Sequence, residues 1–189
     1  KCGYCKKDYS YNGIINLTCD DGAADFTSLS DNKYIGFDMY AKTYNRSREI
    51  GTSLLQQGIA LGKNIYNTYK GNAIVLDIGA GTGYPSVEIA SCGTPVVAID
   101  ISTNMLKYLL MRAKMNKVNN ILAVRANAYR LPVKNNSIDI VTCHYLFHMF
   151  NNPAKVFQEI KRVLKADGVF YTILTSFIQY EKYVQNDQE

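Results

Sequence analysis

Two rhythms of apolar and polar positions divide this chain. From residue 73 to 175, short apolar runs alternate with segments whose apolar positions recur every three or four residues. The runs fit strands buried on both faces, and the segments fit amphipathic helices. The pattern predicts strands over 73–78, 95–99, 121–125, 137–143 and 168–175, and helices over 84–91, 102–116 and 153–165. The helix starts carry their own signals. Pro85 suits a first turn, where a missing N–H costs little, and Pro153 does the same after Asn152. Ser102 and Asn152 can cap the open amides that follow them. Val156, Phe157, Ile160, Val163 and Leu164 share one face of the last helix, which Asp167-Gly168 should stop. Upstream, Ile50, Leu54, Leu55, Ile59, Ala60 and Ile65 recur at helical spacing within 31–69, interrupted at Gly51, Gly58 and Gly62. Two helices broken near Gly51 are expected, closed by Lys70-Gly71-Asn72. Residues 1–32 read as an irregular segment with a short hairpin around Ile14-Ile15-Asn16-Leu17. Alternating strands and helices imply an α/β fold, a doubly wound parallel sheet with helices on both faces. Right-handed crossovers set the first and fourth strands of the run side by side, and their C-terminal ends form the switch point where ligands bind.

One strand-to-helix turn carries chemistry. Val75-Leu76-Asp77-Ile78-Gly79-Ala80-Gly81-Thr82-Gly83-Tyr84 joins an apolar strand and an acid near its end to three glycines at alternate positions. Glycine lets the backbone turn sharply and approach a ligand with no Cβ in the way. The helix behind presents unpaired N–H groups. A dinucleotide would set its pyrophosphate there and asks for G-x-G-x-x-G, with an acid roughly 20 residues on. This chain reads G-x-G-x-G, with Asp77 two residues ahead of the first glycine. A carboxylate repels a pyrophosphate and stabilises an ammonium. S-adenosylmethionine (SAM) has no phosphate but carries an α-ammonium and a sulfonium, so Asp77 fits it better than NAD. The distal acid is also present. Val96-Val97-Ala98-Ile99-Asp100 ends in a carboxylate able to accept both ribose hydroxyls of either ligand.

Composition narrows the class. The chain has 189 residues, 47% hydrophobic and 20% charged, as expected for one globular domain with an extra segment. No apolar run approaches the roughly 18–20 residues of a membrane span, and no signal peptide is visible, so a cytoplasmic protein is expected. The net charge of +5 is spread along the chain, which favours a solvated surface over a nucleic-acid patch. Cys92 and Cys143 fall in the predicted core, where thiols are usually apolar filler. Cys2 and Cys5 have the spacing of one zinc knuckle. A closed zinc site needs four ligands and only Cys19 is near, so no metal is expected.

On the glycine turn and Asp100 together, the chain resembles the class I, Rossmann-like SAM-dependent methyltransferases, in particular their small-molecule group. The resemblance runs from about Tyr34 to about Thr175. Phe37-Asp38-Met39-Tyr40-Ala41-Lys42-Thr43-Tyr44-Asn45 is similar to the family's N-terminal helix, which implies that Tyr44 closes over the cofactor. Ala126-Asn127-Ala128-Tyr129-Arg130-Leu131-Pro132 is similar to the family's G-D-A-x-x-L-P segment. Ser137 to Cys143 with His144-Tyr145-Leu146-Phe147-His148 is similar to its fourth strand and the loop beyond. The implied cofactor contacts are Tyr44, Asp77, Gly79, Ala80, Gly81, Thr82, Gly83, Asp100, Ile101, Met105, Asn127, Ala128, Cys143 and His144. One position departs from the family: Asn127 stands where an aspartate usually accepts from the adenine amino group, and a neutral acceptor is weaker. The segment to Asn16 looks like the second half of the small zinc ribbon that precedes some methyltransferase domains, here a remnant without its first knuckle. The resemblance implies a SAM-binding domain over 33–189. Only 14 residues follow Thr175, too few for the family's last helix and two strands, so five strands in the order 3-2-1-4-5 are expected. Strand 168–175 would then be an edge, open to a second copy of the chain or marking a fragment.

The implied reaction is an in-line displacement that moves a methyl group from SAM to a small-molecule acceptor and leaves S-adenosylhomocysteine. His148 and His144, the chain's two histidines, are the candidate bases. Amino-methyltransferases typically show a D/N-P-P-Y motif after strand four, where this chain has Cys143-His144-Tyr145-Leu146. Oxygen, carbon, sulfur and arsenic acceptors stay open. Tyr40, Tyr44, Tyr145, Phe147 and Tyr180 would give an aromatic pocket for a partly apolar acceptor. Competing readings are a SAM-binding subunit without catalysis of its own, an RNA methyltransferase and an NAD(P) oxidoreductase.

Overall fold

The computed structural model describes residues 10–11, 13–17 and 48–174. The expectations for Cys2, Cys5, Cys19, Tyr40, Tyr44 and Tyr180, and for a helix around 37–45, lie outside them. Among the described residues, β1 (Ser10–Tyr11) and β2 (Ile14–Asn16) form an antiparallel hairpin. Then follow α1 (Arg48–Tyr69), β3 (Val75–Ile78), α2 (Ser86–Ser91), β4 (Val96–Asp100), α3 (Thr103–Met115), β5 (Ile121–Arg125), β6 (Ile138–His144), a 3-10 turn (Phe147–Met149), α4 (Pro153–Val163) and β7 (Leu164–Ile173).

One sheet runs β1-β2-β5-β4-β3-β6-β7, parallel throughout apart from β1. Strands β5-β4-β3-β6-β7 reproduce the expected order 3-2-1-4-5. The expected count of five is corrected to seven, because the N-terminal hairpin joins the sheet. Its short apolar run explains why. Ile14 pairs with Ala123 and is buried against the α1/α3 face, while Ile15 packs on the opposite face. The hairpin thus covers what would otherwise be the open edge of β5.

The central strand β3 is buried along its whole length. Its alternate residues feed two cores. Val75 joins Ile65, Ile89, Leu106 and Leu109 under α1, α2 and α3, while Leu76 and Ile78 join Val156, Ile160 and Val163 under α4. Two further expectations are corrected. The helix does not break near Gly51, because α1 runs unbroken over 22 residues from Arg48. Gly58 and Gly62 serve packing: a Cβ on Gly62 would stand 2.9 Å from the Glu88 carbonyl oxygen and 3.0 Å from the Ile89 Cα. Nor does Asp167-Gly168 stop the last helix. The helix ends at Val163, and those residues lie in a bulge of β7, whose register against β6 jumps from Ile138–Leu164 to Ile140–Val169. Lys165 spans the bulge to Asp139 Oδ1 at 2.6 Å.

Candidate functional site

The glycine turn after β3 sets glycine at three left-handed backbone positions, two of them also too crowded for a Cβ. Gly79, Gly81 and Gly83 all have positive φ, at +70°, +53° and +100°. The amides of Gly79 and Ala80 both donate to the Ile99 carbonyl, at 2.8 and 2.9 Å, which sews the turn to β4. A Cβ on Gly79 would collide with Leu146, and one on Gly83 would press on Val87 and Leu109. Gly81 differs, since a Cβ there would meet nothing nearer than the Gly79 oxygen at 3.9 Å. The turn is therefore packed from beneath and behind and open above Gly81.

Arg112 of α3 supports its far end. The guanidinium donates to the Gly83 carbonyl at 2.7 Å, pairs with the buried Glu88 carboxylate and lies 3.4 Å from the Tyr84 ring centre. Burial pushes the Glu88 carboxyl up, and Arg112 opposes the shift.

Two acids frame the turn. Asp77 is 1% exposed. Its Oδ2 accepts from the Ser86 hydroxyl at 2.5 Å and its Oδ1 from the Thr142 hydroxyl at 2.7 Å. Burial raises its pKa to about 7; the two hydroxyls lower it, and Asp100 and Glu88 add to the rise. Asp100 closes β4 and is half-buried. Its Oδ2 accepts from the Gly81 amide at 2.9 Å and its Oδ1 from the Ser102 amide at 2.8 Å. Asp100 thereby holds the middle of the turn from the side. Ser102 caps α3 by accepting from the Met105 amide, as expected, and the Met105 side chain is buried. Ile101 is half-buried and its carbonyl accepts from Arg125 Nε at 2.9 Å. Thr82 is buried, and its hydroxyl has no partner among the described residues.

The end of β6 lies beside β3, as the switch-point argument requires, with Thr142 in register with Asp77. Cys143 points into the α4 core, where burial and then the charge of Asp77 push its thiol pKa upward, leaving its main chain as what it can offer a ligand. His144 shares the face of Thr142 by strand alternation. Its Nε2 is buried without a partner among the described residues, and burial lowers its pKa to about 4. Tyr145 turns the chain at φ +54°, and its hydroxyl donates to Gln57 of α1 at 3.2 Å. Leu146 then covers Gly79. Phe147 enters the core and stacks on Phe157, while His148 stays exposed on the 3-10 turn. The structure thus separates the two histidines into a half-buried one at the end of the strand that adjoins β3 and an exposed one on the 3-10 turn.

Beyond β5, Asn127 and Ala128 are half-buried in a turn. Asn127 Oδ1 accepts from the Tyr129 amide at 2.9 Å, and its carbonyl accepts from the Arg130 amide at 3.1 Å. Arg162 of α4 clamps the rest of this loop by donating to the Leu131 and Val133 carbonyls, and Glu159 accepts from the Leu131 amide. Ser86, Arg112, Thr142, Leu146 and Arg162 were not expected from sequence. Thr142 carried a signal, since it is a polar residue in an apolar strand that must adjoin Asp77.

Two carboxylates at the turn, an open face over Gly81, and buried unpartnered atoms on Thr82 and His144 fit a cationic, phosphate-free nucleoside. A pyrophosphate would meet both acids. Comparison with known proteins agrees. Residues 76–172 match the methyltransferase-domain family. An uncharacterised chloroplastic methyltransferase of Arabidopsis thaliana, At2g41040, is 28% identical over 95% of this chain and 54% of its own length. The demethylmenaquinone methyltransferase of Renibacterium salmoninarum is 38% identical over 50% of this chain and 38% of its own. The chain thus spans about half, or less, of the curated relatives it matches. The crystal structure of a Methanococcus maripaludis protein assigned as a SAM-dependent methyltransferase superposes with a TM-score of 0.63, at 23% identity, over 79% of this chain and 72% of that one; the likeness is one of fold.

Proposed function

This chain belongs to the methyltransferase-domain family, SAM-dependent and Rossmann-like, and on that premise we propose that it methylates a small-molecule acceptor at the C-terminal ends of β3, β4 and β6. The observation that carries the reading is the pairing of Asp77 and Asp100 around an open glycine turn. When bound, SAM supplies a methyl group already activated by its sulfonium. The chain's task is then alignment, which can supply roughly 7–11 kcal/mol of a barrier. In this reading the turn over Gly81 runs along the amino-acid tail, Asp77 lends it negative potential from below, and Asp100 accepts the ribose hydroxyls.

In this reading His144 takes the acceptor's proton at Nε2, an atom that has no hydrogen-bond partner among the described residues. With a pKa of about 4 it is neutral, and so able to accept, throughout the physiological range. A base that weak is effective only toward an acceptor that is itself acidic or becomes so as the methyl arrives. Phenols and quinols meet that condition, and a similar protein is named for demethylmenaquinone. Pairing of a second copy along β7, the outer strand among the described residues, belongs to the same reading and would appear as a dimer in sedimentation.

The test is calorimetry with S-adenosylhomocysteine and NADH, followed by turnover with phenolic and quinol acceptors. Stoichiometric binding of S-adenosylhomocysteine, no binding of NADH, and its release from SAM with such an acceptor are expected. Binding without turnover on any acceptor would favour a non-catalytic subunit, and binding of NADH alone would sink the proposal.

A further inference from the structure

We propose that Arg112 is a positioning residue: through Gly83 it holds the glycine turn in the shape that receives the cofactor, and its ion pair with Glu88 serves to direct it there and not to stabilise the fold. The inference rests on the reading that the turn takes SAM. Neither side chain is among the proposed cofactor contacts.

The freedom of the turn is the starting point. Three glycines at positive φ leave the segment from Gly79 to Gly83 with backbone choices that side chains would have removed. Its shape is therefore imposed from outside, at three places. The Ile99 carbonyl accepts from the Gly79 and Ala80 amides, and Asp100 accepts from the Gly81 amide. At the far end, the Gly83 carbonyl accepts from Arg112 Nη1 at 2.7 Å and from the Val87 amide at 2.9 Å. Leu109, one turn earlier on α3, packs on the same glycine, with its Cγ 3.1 Å from where a Cβ would stand.

The guanidinium has little room to turn away. Nη2 pairs with Glu88 Oε1, Nη1 also donates to Glu88 Oε2 at 3.4 Å, and the carbon between them lies 3.4 Å from the Tyr84 ring centre. One fork thus spans a carboxylate and a carbonyl. Glu88 is seated in turn by α1. Its side chain is buried, and its Cγ and Oε2 lie 3.0 Å from the place of a Cβ on Gly58, so the missing side chain of Gly58 leaves the space that Glu88 fills.

Stability alone does not account for this pair. Taking two charges out of water costs about as much as their attraction gives back, and apolar residues of similar volume often serve as well or better. Burial raises the Glu88 pKa even with Arg112 beside it. What the pair supplies is direction. Without the guanidinium the turn samples shapes that do not bind, and the apparent dissociation constant rises by the inverse of the competent fraction.

The experiment compares the wild-type chain with Arg112→Met and with the double variant Glu88→Met/Arg112→Met, which replaces the charged pair by unbranched apolar side chains. Calorimetry measures affinity for S-adenosylhomocysteine, thermal melts measure stability, and amide NMR follows Gly81, which Arg112 does not touch. We expect both variants to bind S-adenosylhomocysteine at least about tenfold more weakly than wild type. The double variant should melt at or above the wild-type temperature. The Gly81 resonance should shift or broaden in the free variants and return toward its wild-type position at saturation. Lys165→Met, which breaks the pair with Asp139 at the opposite end of β6, should keep wild-type affinity. Wild-type affinity in either Arg112 variant, an unmoved Gly81 resonance, or a double variant that melts below wild type or does not fold overturns the inference and leaves the SAM reading intact. If the folded wild-type chain does not bind S-adenosylhomocysteine, the SAM reading fails and the inference falls with it. Should Arg112→Met alone not fold, Arg112→Lys takes its place, because it keeps the charge beside Glu88 and loses the fork: weaker binding supports the inference and unchanged affinity overturns it.

Discussion

Asp77 is the residue on which stability and binding pull apart. Its carboxyl is buried and titrates near 7, against a value of 3.8 for an exposed aspartate. The folded pKa lies above the unfolded one, so the unfolded chain loses the proton first. The contribution to stability is therefore fullest below about pH 4 and is lost as pH rises through about 7, at a cost on the order of 4 kcal/mol. A cationic ligand reverses the preference by favouring the ionised form. SAM affinity is accordingly expected to rise with pH through about 7. Asp77→Asn should flatten that rise and weaken binding while raising the melting temperature at pH 8, since the Ser86 and Thr142 hydroxyls can donate to or accept from an amide. Calorimetry and thermal melts at pH 5.5 and 8 measure both; undiminished affinity in the variant would remove the role. The histidines divide in the same way. His144→Asn should lower turnover with a phenolic acceptor by roughly 10²–10⁴-fold with little change in SAM affinity, if the base acts as proposed. His148→Asn, at an exposed position, should leave turnover near wild type.

Among elements, α1 and α2 show why glycine is ambiguous as a sequence signal. Gly58 and Gly62 read as interruptions because glycine weakens helices. In the fold they are where α1 lies against α2, with Glu88 atoms 3.0 Å from a Cβ on Gly58. The same Glu88 pairs with Arg112, which holds the Gly83 carbonyl, so α1 packing reaches the glycine turn through two side chains. Gly62→Val would force a side chain against backbone that cannot step aside and should cost about 1–3 kcal/mol in denaturant unfolding. The β5–β6 loop depends in turn on Arg162. Arg162→Ala removes its bonds to Leu131, Val133, Asn135 and Glu159. Weaker S-adenosylhomocysteine binding is expected together with lower stability, and intact affinity would show that the loop holds its shape alone.

At the scale of the molecule, the site exists because the strand order reverses at β3. Crossovers from β3 to β4 and from β5 back to β6 leave a crevice at the carboxyl ends of β3 and β6. Every proposed ligand contact among the described residues lies at that end of the sheet, so a ligand bridges elements that unfolding would separate. S-adenosylhomocysteine at one hundred times its dissociation constant should stabilise the fold by about 2.7 kcal/mol. For a chain of this size that corresponds to a rise in melting temperature of roughly 5–10 °C. NADH should give none, and a thermal shift assay separates the two directly.

The sequence by itself determined the α/β alternation, the caps at Ser102 and Asn152, and the turn with its two acids, while the order β5-β4-β3-β6-β7 was implied by the family resemblance together with the handedness of crossovers. The first three follow from local physics: apolar period, capping side chains, and glycines that must adopt positive φ. It also narrowed the ligand to a cation without phosphate, because charge type is written in residue identity. Tertiary structure alone decided that Ile14 closes the sheet edge, that Gly51 lies inside one helix, that Gly62 is a contact, and that Asp167-Gly168 bulges a strand. It decided as well that Asp77 is held by Ser86 and Thr142, that His144 is half-buried with its Nε2 enclosed while His148 is exposed, and that Asn127 Oδ1 accepts from the Tyr129 amide. Each depends on which distant residue arrives alongside, and a hydrogen-bond partner or a neighbour 3 Å away is not encoded in spacing along the chain.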